Sequence, residues 1–183
     1  MAANMALKRA AKANRRKAVV AEKRKSELLS NSPVAQVLRA AQAPIRHCVV
    51  TENLFRVGMG VVTLTRGTSF ELAIGGFLVD MLGRGVKDTY FRHAAADKVE
   101  SMLVEMQAES PIADVDPSYA RKLLRDAAAW ARSRGIAPHR DYALVERLFG
   151  DVSADACDAT FRFGVIEMGS DPAGLTPWHS IID

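Results

Sequence analysis

The chain has 183 residues, 49% hydrophobic and 25% charged, a balance that suits one globular domain with an appendage and excludes a wholly disordered chain. Its formal charge of +4 is segregated: residues 1–30 hold nine cations against Glu22 and Glu27, a net +7, so residues 31–183 sum to −3. Its two cysteines, Cys48 and Cys157, form no CxxC pair, which excludes a disulfide framework and a zinc ribbon, and no run approaches the roughly 18 apolar residues of a membrane span.

The basic arm comes first in chain order. Lys8, Arg9, Lys12, Arg15, Arg16, Lys17, Lys23, Arg24 and Lys25 lie in a stretch without Gly or Pro that favours helix by propensity. Its few apolar residues form no clean stripe, and its cations repel one another. The reading is therefore a helical or disordered arm that orders on a partner. The N-terminus has no apolar secretory run, and its Ala/Arg/Lys-rich make-up also suits a mitochondrial transit peptide.

Ser32-Pro33 is a helix start, and a short helix is expected over about 33–42 with Val34, Val37, Leu38 and Ala41 on one face. Strands are expected over 45–52, 57–65 and 70–80, followed by an extended piece at 87–92. In the third strand Phe70, Leu72, Ile74 and Leu78 share a face, and Gly75-Gly76 signals a bulge or a close backbone approach. A helix over about 95–108 carries Val99, Met102, Leu103 and Met106 at helical spacing. Asp116-Pro117 opens a second helix, which runs to about Arg134 and is closed by Gly135. Asp141 is expected to cap a shorter helix over 141–149. Residues 160–166 read as a late strand, and the tail from Gly169 as irregular.

These elements define an α+β domain: a central antiparallel sheet of three to five strands, with the 95–108 and 116–134 helices on one face. The expected division is a basic arm at 1–32, the α+β domain at 33–168 and a tail at 169–183.

Nine cations over about 18 residues can meet many phosphates at once, so binding to a polyanion should weaken steeply with salt. The arm has no aromatic residue, which favours backbone contacts over base stacking. Within the body, Asp80, Lys87 and Asp88 flank a Gly-Arg-Gly turn and could converge on a phosphate or metal. The simpler reading is that Asp80 caps that turn. His139 beside Asp141 is a candidate general base. His47 and Cys48 are neighbours on a strand and point to opposite faces, which argues against a Cys–His dyad. The four histidines show no HxH, HxxxH or HExxH spacing, and no P-loop, GxSxG or GxGxxG occurs, so no metal or cofactor is implied.

FLVDMLGRGVKD (77–88), SYARKLLRDAAAWARSRGIAPHRDY (118–142) and FRFG (161–164) together resemble a set of uncharacterised bacterial proteins, some of which carry a metal-binding SEC-C motif. The resemblance spans roughly 45–164. It implies a shared domain and no activity, and this chain lacks the cysteines of a SEC-C zinc site. It makes Asp80, Lys87, Asp88, His139 and Asp141 the polar positions of interest.

The leading expectation is a cytoplasmic, non-enzymatic accessory protein that binds RNA or a ribonucleoprotein, ribosomal RNA included, through the arm. The alternatives are a small hydrolase, whose candidate catalytic residues are these five polar positions, and a protein–protein module in which an exposed sheet edge or the Met-bearing helix docks a partner, a homo-oligomer being its simplest form.

Overall fold

The computed structural model describes residues 32–165 together with Lys17, Val19, Val20 and Glu22. The chain divides into two units, Met1–Gln36 and Val37–Asp183. In the first, Lys17, Val19, Val20 and Glu22 are helical with exposed side chains. The other arm cations, Lys8, Arg9, Lys12, Arg15, Arg16, Lys23, Arg24 and Lys25, lie outside the described residues, as does the expected tail. Helix α1 (Pro33–Ala40) begins as its sequence requires: Ser32 Oγ accepts a hydrogen bond from the Ala35 N–H. Its buried stripe is Val37, Ala40 and Ala41, whereas Val34 and Leu38 are exposed, so the expected apolar face is rotated.

The second unit is α+β. Strands β1 (Ile45–Thr51), β2 (Met59–Gly67), β3 (Glu71–Asp80), β4 (Gly85–Ala95) and β5 (Ile112–Asp114) form one antiparallel sheet in the order β4-β3-β2-β1-β5. A single turn of helix, α2 (Leu54–Val57), precedes β2, so the expected strand at 57–65 starts two residues late. Helix α3 (Ala96–Glu109) connects β4 to β5, and α4 (Pro117–Ser133) follows β5. The sequence pattern gave no signal for β5, whose three residues are confined between Pro111 and Asp116-Pro117.

The sheet is covered on both faces, which corrects the expectation of helices on one. Along β3 the side chains alternate. Ala73, Phe77 and Val79 join the large core with Val62 and Leu64 of β2 and Tyr119, Leu123, Leu124 and Ala127 of α4. Leu72 and Ile74 point the other way, against Val99, Met102 and Leu103 of α3. A strand apolar at both parities signals two covered faces. Phe70, expected beside Leu72, precedes the strand and is exposed, because its N–H and that of Glu71 turn back to Thr68 Oγ1.

Asp116 caps α4 by accepting from the Ser118 N–H at 2.7 Å. The next helix is one α-turn, α5 (Tyr142–Val145), continued by a tighter turn over Glu146–Phe149. The expected late strand is absent from the described residues. There the chain is irregular, with Phe161 set against Tyr119 and Phe55 and Phe163 stacked on Trp130 at 5.4 Å. Aromatic residues at alternate positions give a strand-like signal, but here they anchor an extended segment on α4. Among the described residues, no helix is long and apolar enough to cross a membrane.

Candidate functional site

The polar positions singled out by sequence separate into two groups around the β3–β4 hairpin. Asp80 ends β3, and its carboxylate accepts from the N–H groups of Leu82, Gly83 and Arg84 at 2.9–3.1 Å. Both its oxygens are committed to the turn, as the simpler reading expected. Lys87 is exposed at a bulge: Leu78 pairs with Asp88 and Val79 with Val86, which leaves Lys87 without a partner on β3. Asp80 and Lys87 therefore share no contact with each other.

Asp88, His139 and Asp141 do come together. The loop after α4 runs alongside β4, an edge strand, and the His139 N–H donates to the Val86 carbonyl at 3.0 Å. This backbone bond sets the imidazole between two carboxylates, with Nε2 3.5 Å from Asp88 Oδ1 and Nδ1 4.0 Å from Asp141 Oδ2. Asp141 does not cap α5 with its side chain, contrary to expectation; its N–H points back to His139 Nδ1 at 3.4 Å. Nδ1 can accept this N–H only in the tautomer that carries the ring proton on Nε2, on the side of Asp88. Asp88 is further engaged with the Thr89 N–H at 2.7 Å. A histidine so placed can relay a proton. Among the described residues, however, no serine, threonine or cysteine side chain bonds to it, and no group of three His, Cys, Asp or Glu residues is arranged for a metal ion. The arrangement ties a loop to the sheet edge, and of Asp80, Lys87, Asp88 and His139 the ion-pair contact among the described residues is that of Asp88 with His139.

His47 and Cys48 behave as strand alternation demands. His47 Nε2 meets Glu100 of α3 at 3.1 Å, while Cys48 joins the core on the opposite face. Burial, reinforced by Asp116 and Asp114, pushes the Cys48 thiol up to about 12.

Two buried arginines are the functional-looking residues that sequence reasoning missed. Arg66, 6% exposed, donates to the carbonyls of Ala41, Ala43 and Phe149. Burial lowers its pKa, partly offset by Asp151. Arg121, 9% exposed, binds Glu146 and the carbonyls of Gly150 and Val152. Both fasten backbone that follows α1 and α5 to the core. The available signal was position: Arg66 lies within a β-run, and Arg121 falls on the Leu124–Ala128 stripe of α4. No family model, curated protein or solved structure matches this chain.

Proposed function

We propose that this is a cytoplasmic, non-enzymatic accessory protein that binds RNA or a ribonucleoprotein through its basic arm. One observation carries the reading: a net +7 within residues 1–30, attached to a body of net −3. Residues 31–183 carry no net positive charge, so long-range attraction to phosphate backbones is supplied by the arm. Arginines such as Arg15 and Arg16 can fork onto phosphate, and the lysines add mobile point charges. In support, Lys17 is helical and exposed. Within the body, the Asp80 carboxylate is bonded to its own turn and His139 sits between Asp88 and Asp141 at the edge of β4.

The test is a titration of labelled single-stranded RNA with the full-length protein and with an Arg15→Ala/Arg16→Ala/Lys17→Ala variant, each at several salt concentrations. Each phosphate contact on single strands contributes about 0.7 to the slope of log affinity against log salt, so three lost cations should flatten that slope by about 2. Equal slopes and equal affinities for the two proteins would reject the reading.

A further inference from the structure

On the α3 side of the sheet, the end beyond Ile74 is left open. The side chains that face out there are Asp88, Tyr90 and Arg92 of β4, with Leu78 of β3 and Val61 of β2 half-buried beside them and the Asp88 carboxylate turned to His139. Tyr90 pairs with Gly76, and its ring leans across β3 onto that glycine: a Cβ at position 76 would fall 2.2 Å from Cε1 and 2.3 Å from Cζ. Only glycine lets the ring lie this close to the strand, which is the close approach that Gly75-Gly76 signalled. Although seated on backbone, Tyr90 remains 41% exposed. The Arg92 guanidinium stands 5.4 Å from the ring centroid, and its Nη2 is held by Met102 Sδ of α3 at 2.9 Å.

We propose that Tyr90, with Arg92 beside it, is a stacking platform for an unpaired nucleobase. Three features point there. The ring is held against the strand at Gly76 and is still 41% exposed, with the Arg92 guanidinium over it, so a base stacking on the pair costs little side-chain entropy. The adjacent guanidinium is suited to a base plane or to the phosphate next to it. The arm supplies charge but no aromatic residue, so any stacking on a base falls to aromatic residues elsewhere in the chain. The inference rests on the nucleic-acid reading above and adds the ligand class: single-stranded rather than duplex RNA.

The experiment uses the full-length protein with three ligands: a 20-nucleotide oligouridylate, an RNA duplex of the same length and inorganic polyphosphate. The variants are Tyr90→Ala, Tyr90→Phe, Gly76→Ala and the triple arm variant. Tyr90→Ala is expected to weaken oligouridylate binding about tenfold, equal to about 1.4 kcal/mol, with duplex and polyphosphate binding unchanged. Tyr90→Phe should keep wild-type affinity. Gly76→Ala should copy Tyr90→Ala, because a methyl group there lifts the ring off the strand. The salt slope should flatten only in the arm variant. Wild-type oligouridylate affinity in Tyr90→Ala, alongside a loss in the arm variant, would overturn the platform and leave the arm reading standing. An equal loss for all three ligands would also overturn it, by showing that Tyr90 serves packing against Gly76 alone. If the wild-type protein binds none of the three, both readings fall together.

Discussion

Arg121 and Glu146 meet side by side, Nε 2.7 Å from Oε1 and Nη2 3.3 Å from Oε2, with Arg125 Nε adding a third bond to Oε1 at 2.8 Å. The pair joins α4 to the turn after α5. Through the carbonyls of Gly150 and Val152 it also fixes the chain that follows. Removing one partner from a buried pair leaves an uncompensated charge, which costs about 3–5 kcal/mol. Glu146→Ala should therefore lower the urea midpoint severely. Arg125 is half-exposed, and Arg125→Ala should cost under about 1 kcal/mol. Equal losses from the two substitutions would show that the buried geometry confers no advantage.

The same carboxylate sets an acid limb. Burial alone would raise Glu146, but the hydrogen bonds from Arg121 and Arg125 outweigh it and hold the carboxyl below its usual value of 4.5. A group depressed in the native state stabilises the fold above its unfolded pKa, and that stability is lost as pH falls through the native value. Melting temperature should thus drop more steeply below about pH 4.5 in the wild type than in Glu146→Gln, where no such proton uptake occurs. Parallel melting curves from pH 6 to 3 would rule out this linkage.

How much of this was legible beforehand depends on the range of each interaction. Many signals carried within a few residues read correctly, though the Val34 and Leu38 face of α1, the Asp141 cap and the late strand did not. The Val99, Met102 and Leu103 face of α3, the Asp116-Pro117 cap, the Asp80 turn and the opposed His47 and Cys48 side chains are local consequences of helix or strand period. What sequence did not disclose depends on partners brought together only by the fold. Arg66 reaches Phe149, Arg121 reaches Glu146, and His139 lands beside Asp88 because a loop hydrogen-bonds to the edge of β4. The placement of α3 and α4 on opposite faces was recoverable in principle from the apolar residues at both parities of β3. The candidate site was legible as residue types but not as geometry: three of the five positions meet, and the other two do not.

The two thiols should differ sharply in reactivity. Cys48 is buried, and its thiol is pushed up to about 12, whereas Cys157 is half-exposed. The thiolate is the reactive form, so a disulfide reagent at pH 8 should titrate one thiol rapidly in the native protein and two in guanidinium. Cys157→Ser should abolish the rapid phase. Cys48 also loads the alkaline limb together with Tyr119, which burial likewise raises to about 12. Both groups hold protons in the native state that the unfolded chain releases nearer 9 and 10. Their contribution is present below those values and is lost as pH rises toward 12. Two rapid thiols in the native protein would contradict the buried placement of Cys48.

Gly85 begins β4 at φ +63°, and α4 passes directly over it: a Cβ there would lie 2.3 Å from the Ala127 carbonyl oxygen and 2.8 Å from Ala131 Cβ. Gly135 has a similar φ of +78° but open space around it. The two positions separate backbone strain from collision. Gly135→Ala carries only the left-handed penalty of about 1–2 kcal/mol. Gly85→Ala adds displacement of α4 from the sheet, an overpacking cost of about 1–3 kcal/mol or more. Urea denaturation should therefore place the Gly85→Ala midpoint well below that of Gly135→Ala, with both below wild type. A loss confined to about 1 kcal/mol at each position would mean that α4 yields freely over the start of β4. The packing of Ala127 and Ala131 would then not be what fixes the hairpin against the helix.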